Sequence, residues 1–287
     1  MQLKRANALQ NSSTEPDLAT IEARLLLEGV YQVYGVDFRG YSISTMTRKS
    51  VEYAKSIGLQ SISALQELVL HDPRNLERFL WEVFVLTTSL FRDPHFYLNL
   101  RLNIIPWLKT YPFIRVWHAG CSTGEEVFSM AILLQEENLY PRTRIYATDF
   151  QERVLSVARR GRFPADRIPE YTRNYKEAGG KNSLTDYYIL HGEEAIIDPA
   201  LMQNISFLMH NLATDQSFQE FNLILCRNVL IYFDKNLRNH VHNLLFDSLP
   251  PFGILTLGDN ESLYFTSHEM DYRKIHGCYQ KIRKRYE

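Results

Sequence analysis

Ile114-Arg-Val-Trp-His-Ala-Gly-Cys-Ser-Thr-Gly-Glu-Glu126 is the stretch that decides the fold. It reads as a short apolar strand, a tight turn carrying two glycines, and a helix that opens on two carboxylates. That is the outline of a nucleotide-type cofactor site, but not of a dinucleotide fingerprint. G-x-G-x-x-G has one residue between its first glycines, whereas Gly120 and Gly124 have three. A pyrophosphate is held by bare backbone N–H groups at a helix N-terminus. Glu125 and Glu126 place negative charge at that position, which suits a ligand that lacks phosphate and carries positive charge. S-adenosylmethionine, with its sulfonium and amino groups, has that character. Acidic capping of an ordinary strand–turn–helix accounts for the same residues.

Working outward, strands alternate with helices. Ile114 to Trp117 is a strand, Glu125 to Glu137 a helix, Arg144 to Asp149 a strand, and Gln151 to Arg159 a helix. Ile205 to Met209 and Phe221 to Cys226 follow as strands, then a helix from Lys235 to about Leu249 and a strand over Gly253 to Gly258. Cys278 to Arg283 closes with alternating polarity. This rhythm predicts an α/β fold with a mostly parallel sheet covered on both faces. Residues 163–200 interrupt it with Pro, Gly-Gly and two short segments, Tyr187 to Leu190 and Ala195 to Ile197, which suggest an inserted hairpin.

Before the sheet the periodicity is helical. Leu18, Ile21, Leu25 and Leu26 fit one face of a first helix, and Gly58 closes a second. A capping box at Ser63–Glu67 starts a third, with Leu65, Leu68 and Val69 inward, and Asp72-Pro73 starts a fourth, with Leu76, Phe79, Leu80 and Phe84 inward. Residues 1 to about 17 form a polar, frayed lead-in. The expected organisation is a helical domain over 18–90, a Rossmann-like domain over 91–287, and a β-subdomain inserted at 163–200.

The 287 residues carry a net charge of −1 with 45% hydrophobic and 23% charged residues, an ordinary globular composition. Nothing global steers such a chain to nucleic acid. No apolar run reaches the ~18 residues that a spanning helix needs, and no secretory leader follows the first residues, so a cytoplasmic protein without membrane insertion is expected. Cys121, Cys226 and Cys278 are widely separated and read as reduced core residues.

Ligands in open α/β sheets sit beyond the carboxyl ends of the strands. Four such ends carry polar residues here: His118 to Glu126, Asp149, Asn211-Leu212, and Cys226-Arg-Asn-Val-Leu-Ile-Tyr-Phe-Asp234. Asp149 is placed to accept hydrogen bonds from ribose hydroxyls, or to cap the next helix. Asn211 suits an adenine edge, or a simple turn. Arg227, between two apolar runs, needs a carboxylate partner or a substrate. Upstream, Arg92 follows Leu90 and Phe91 without a local reason, and Asp93 can cap a helix begun by Pro94. A zinc site from His118, Cys121, His210 and Cys226 lacks the repeated short ligand spacing, and no metal is expected. Gly120-Cys-Ser-Thr-Gly124 has the form Gly-x-Ser-x-Gly, but no hydrolase is expected.

Taken together, Thr88 through Asp93, Ala119 to Glu126, Ala147-Thr-Asp149, Asn211-Leu212, Cys226 to Asp234, and Gly258 with Glu261-Ser-Leu263 resemble the chemotaxis receptor methyltransferases, the CheR family. The resemblance runs from about Tyr34 to about Arg283. It implies a Rossmann-like S-adenosylmethionine-dependent methyltransferase with a helical N-terminal domain and a small inserted β-subdomain. The implied reaction esterifies glutamates on the cytoplasmic helical bundle of chemoreceptors, leaving S-adenosyl-L-homocysteine. Carried over, Thr88, Arg92, Gly120, Glu125, Asp149, Asn211, Leu212, Asn228 and Val229 bind the cofactor, with Glu126 as the alternative to Glu125. Arg92 and Tyr232 hold the substrate. The implied partner is a chemoreceptor bundle or related signalling protein, met by Arg39, Arg48, Lys49 and Lys55, and the enzyme acts as a monomer. Leu86 departs from the family, which often has asparagine there. A scaffold that binds S-adenosylmethionine without transferring it, or a methyltransferase for another protein or a small molecule, are the other readings.

Overall fold

The computed structural model describes residues 17–84 and 88–282; most of the polar lead-in and Leu86 lie outside the described residues. The chain divides into two compact units, Met1–Val83 and Phe84–Glu287.

The first unit is helical: α1 (Leu18–Tyr34), α2 (Ile43–Ser56), α3 (Ile62–His71) and α4 (Pro73–Phe84), the last extending one residue past the division. The buried stripe of α1 is Ala23, Leu26, Leu27 and Val30, spaced i, i+3, i+4, i+7. Leu18, Ile21 and Leu25, expected inward, are exposed, because only Leu26 of that set shares the stripe. Helix α3 is capped by Ser61, which accepts from the Ala64 N–H at 3.1 Å, rather than by Ser63, whose hydroxyl is drawn to Glu22. Leu68 turns outward there, and Ile62 replaces it in the core. Among the basic residues, Arg39 pairs with Asp37 and Glu28, and Arg48 with Glu52. Lys49 donates to the Val83 carbonyl at 2.6 Å.

The second unit begins with α5 (Pro94–Asn99), a π-helical turn and α6 (Ile105–Leu108). It continues through β1 (Ile114–Ala119), α7 (Glu125–Glu136), β2 (Thr143–Asp149), α8 (Glu152–Arg160), β3 (Arg162–Pro164) and α9 (Ile168–Glu177). Next come β4 (Tyr188–His191), β5 (Glu194–Ile197), β6 (Ile205–Met209), β7 (Leu223–Cys226) and α10 (Lys235–Asp247). The last elements are β8 (Ile254–Leu257), β9 (Tyr272–Ile275) and β10 (Cys278–Lys281).

Seven strands form one sheet in the order β6-β2-β1-β7-β8-β10-β9. The first five run parallel, and β10 lies antiparallel to both β8 and β9. The fully apolar Leu223–Cys226 and Ile254–Leu257 are buried throughout, as central parallel strands must be. From β1 the chain winds outward to β2 and β6, then returns to β7 on the other side, so the switch point lies between β1 and β7. Trp117 is fully buried there, its indole N–H donating to Thr148 Oγ1 at 2.8 Å.

The inserted region carries more than a hairpin. Strands β4 and β5 pair around Gly192, β3 adds a third strand against β5, and α9 lies between β3 and β4 in the chain.

Candidate functional site

Three of the five residues from Gly120 to Gly124 are left-handed: Gly120 at φ 79°, Ser122 at 49° and Gly124 at 96°. The loop curls back on its own sheet. Thr148 O accepts from the N–H groups of Gly120 (2.9 Å) and Cys121 (2.8 Å), and Asp149 Oδ2 accepts from Ser122 N–H at 3.0 Å. Gly124 N–H turns to Cys121 O at 3.1 Å. These four amides are spent internally and are not offered to a phosphate. Gly120 also meets the far side of the switch point. A Cβ there would stand 2.6 Å from Val229 Cγ2, so the two candidate residues are in direct contact and only glycine fits.

The two glutamates that open α7 divide in role. Glu126 Oε1 accepts from His118 Nδ1–H at 3.0 Å, and its Oε2 accepts from Arg227 Nη1 at 3.1 Å. Burial alone would raise its pKa, but His118 and Arg227 outweigh it and hold the carboxyl below its ordinary value. Arg227 Nη2 reaches Asp93 Oδ2 at 2.7 Å, and the guanidinium lies 3.9 Å from the centre of the Phe96 ring. Arg227 thus finds two carboxylates rather than a substrate. Asp93 stands before α5, but its side chain goes to Arg227 and caps nothing.

Glu125 is the carboxylate left with acceptor capacity. Its one side-chain donor among the described residues is the Thr123 hydroxyl, at 2.5 Å. Burial raises its pKa, against Thr123, a backbone N–H and the Arg167 charge. A ligand ammonium beside it would favour the charged form.

Asp149 ends β2 with one oxygen on Ser122 N–H and the other on Gln151 N–H, at 3.0 and 3.1 Å. It shapes the glycine loop, while Gln151 occupies the cap position of α8. Burial pushes its pKa up to about 6, against backbone hydrogen bonds that lower it. Because the folded-state value is raised, ionising this group costs stability as pH rises from about 4 through about 6. Ribose hydroxyls would donate to the charged form, so cofactor affinity is expected to fall as pH drops below about 6. Calorimetry between pH 5 and 8 checks this, with Asp149→Asn expected to bind about tenfold more weakly and to lose the dependence. An unchanged profile in that variant would remove Asp149 from the site.

Asn228, at φ 60° just beyond β7, is held by a residue far along the chain. Glu261 Oε2 accepts from the N–H groups of Asn228 (2.8 Å) and Gly258 (2.7 Å), and Oε1 accepts from Ile231 N–H at 3.2 Å. Tyr232 closes the single turn Leu230–Tyr232 and is buried, its ring meeting Phe84 edge-on. Beyond β6, His210 N–H donates to Asp149 O at 3.1 Å and Leu212 is buried. The Asn211 side-chain oxygen accepts from Ala213 N–H, so it serves a turn and leaves its amide N–H₂ for a ligand. Thr88 offers its carbonyl to Arg167 Nη2 at 3.2 Å; its hydroxyl has no partner among the described residues.

Arg92 is half-buried, and its guanidinium makes no hydrogen bond or ion pair among the described residues. Its neighbours fix it. Phe91 and Asp93 are both left-handed, at φ 54° and 57°. Phe91 N–H donates to Ser129 Oγ on α7 at 2.8 Å, and Asp93 is tied to Arg227. Strain of this kind persists only where surrounding contacts enforce it.

Among the described residues no three His, Cys, Asp or Glu side chains gather to hold a metal. Burial pushes the Cys121 and Cys226 thiols well up, so both stay neutral. A parallel-sheet switch point where Glu125 keeps acceptor capacity and four loop amides are spent internally fits a cationic nucleoside ligand. A family model described as CheR methyltransferase, SAM binding domain, matches residues 87–278, about two thirds of the sequence. The chain belongs to the CheR methyltransferase family, and its cofactor is S-adenosylmethionine.

Cher3 of Pseudomonas putida is 44% identical over 248 residues, covering 86% of this chain and 91% of that protein. A chemotaxis protein methyltransferase of Listeria innocua is 27% identical, covering 80% of this chain and 85% of its own length. Among solved structures, the N-methyltransferase NodS of Bradyrhizobium japonicum, in complex with S-adenosyl-l-homocysteine, aligns with 59% of this chain and 62% of its own. Its identity is 16% and its TM-score 0.33. Among the described residues no helix is long and apolar enough to cross a membrane.

Proposed function

We propose that this chain esterifies glutamate side chains on the cytoplasmic helices of chemoreceptors. The observation that carries the reading is Arg92, whose guanidinium has no hydrogen bond or ion pair among the described residues and is held between two anchored left-handed residues. Relatives named chemotaxis protein methyltransferase, from Listeria innocua and Pseudomonas aeruginosa, support the same acceptor class.

A glutamate carboxylate has an ordinary pKa of about 4.3, so it is already the nucleophile at neutral pH and no general base is required. The protein's task is alignment. Arg92 grips one oxygen of the acceptor carboxylate and leaves the other to attack, since a full bidentate grip would lower the nucleophilicity of both oxygens and stabilise the ground state. Tyr232 sets the direction of approach. Glu125 holds the amino end of the cofactor, Asp149 the ribose, Asn211 and Leu212 the adenine, with Gly120, Asn228, Val229 and Thr88 lining the remainder. When bound, S-adenosylmethionine supplies the methyl group, its carbon–sulfur electron pair returning to sulfur as the ester forms.

The test is incubation with methyl-labelled S-adenosylmethionine and cytoplasmic receptor fragments, beside fragments whose acceptor glutamates are changed to alanine. Label that enters only the glutamate-bearing fragments and leaves as methanol in mild base is the expected result. Cofactor binding without label transfer would instead mark a scaffold, and base-stable label a different acceptor.

A further inference from the structure

A groove of about 550 Å³ opens beside the site, between the turn Leu230–Tyr232, one face of α10 and the loop that follows β8. We infer that it receives the polypeptide on one side of the methylated glutamate, an acidic and amphipathic helical segment. This rests on the acceptor class proposed above.

The groove is joined to the site through Glu261, which lines it. The same carboxylate holds the N–H groups of Asn228 and of Ile231, so one short piece of chain borders the cofactor region on one side and the groove on the other.

Its charge is one-sided. Lys235 and Arg238 line it, and neither makes an ion pair among the described residues. Both stand in the first turn of α10, where the helix dipole disfavours cations. The only side-chain hydrogen bond either makes among the described residues runs from Arg238 Nε to the Asp234 carbonyl at 3.4 Å, so neither charge is neutralised inside the fold and both point to a ligand outside it. The nearby carboxylates do not answer them: Asp234 Oδ1 caps α10 through Leu237 N–H at 2.8 Å, and Glu261 is taken by three backbone N–H groups. Burial lowers His242 to about 4, so it adds no charge at neutral pH.

Its rim is apolar and displayed. Phe265 is 91% exposed and Tyr264 61%, while Ile231, also exposed, lines the same groove. Phe265 is left-handed at φ 62°, and its N–H donates to Glu269 Oε2 at 2.9 Å. The fold therefore spends strain to hold an aromatic ring in water. Two cations beside aromatic and aliphatic groups suit a helix that alternates carboxylates with apolar residues.

The double variant Lys235→Glu/Arg238→Glu, and separately Phe265→Ser, are assayed with full-length protein on receptor fragments. KM for the fragment is expected to rise at least about tenfold in the charge reversal, with kcat and calorimetric cofactor affinity within about twofold. Its kcat/KM should also lose most of the salt dependence seen in the unmodified protein. If the unmodified protein methylates the fragment and neither variant changes KM, the groove is not the acceptor path. If the unmodified protein methylates no fragment, the acceptor class itself falls and this occupant with it.

Discussion

Arg92→Ala should reduce kcat for methyl transfer by about 100- to 1,000-fold, the loss usual for a donor aimed at reacting oxygens, while cofactor affinity moves less than about threefold. The asymmetry follows from its surroundings. The guanidinium has no partner to lose within the described fold, and the backbone on either side is fixed by Ser129 and Arg227 whatever residue occupies position 92. Replacement therefore removes a grip on the acceptor and leaves the cofactor loop standing. Calorimetric titration with S-adenosylmethionine beside a methyl-transfer assay separates the two effects. Equal losses in both would return Arg92 to the cofactor and remove it from the chemistry. Arg92→Lys should recover only part of the rate, because an ammonium cannot present a planar fork to a carboxylate.

Arg227→Ala is expected to cost about 3 kcal/mol of folding stability, since it strands Glu126, a half-buried carboxylate that had two cationic or polar partners. Glu126 would keep His118 alone, and Asp93 would lose its only side-chain partner among the described residues. A loss of that size lowers Tm by roughly 10 °C in a chain of this length. Thermal unfolding measures it. Pairing Arg227→Met with Glu126→Gln should restore a substantial share, because the penalty lies in an unanswered charge more than in a lost contact. If the double variant is no better than the single, the ion pair is not the source. Activity in the recovered double variant should stay low, as the Asp93 anchor for Arg92 is still missing.

Much of the catalytic sheet was legible from the sequence because its central strands are short, apolar and followed by helices of strong period. Ile205–Met209 matched to the residue, and β1, β2, β7 and β8 fell within two residues of their expected ends. What escaped was short or charged. Tyr272-Arg-Lys-Ile275 has only two apolar residues, and as an edge strand it needs no more. Arg162-Phe-Pro164 is too brief for alternation to register, and α9 was masked by the Pro and Gly-Gly signals around it.

The site was legible in its residue types more than in their partners. The sequence flagged Arg227 as needing a carboxylate or a substrate, but nothing in spacing could say that Asp93 and Glu126 supply both ends, from positions 134 and 101 residues away. Likewise Glu261 looked like part of a late motif, whereas its work is to clamp three amides. Such pairings are set by the strand order, which brings the ends of β1, β7 and β8 side by side only after the sheet has formed.

Strand order has a consequence for synthesis as well. β10 is laid between β8 and β9, although it is made after both. Until Lys281 has left the ribosome, β8 presents a bare row of amides and carbonyls, and β9 has no neighbour to pair with. Any nascent or clipped chain lacking those last four strand residues carries an adhesive edge next to a finished parallel core. The window for self-association is therefore the interval in which the parallel core has formed and residues 278–281 have not yet paired.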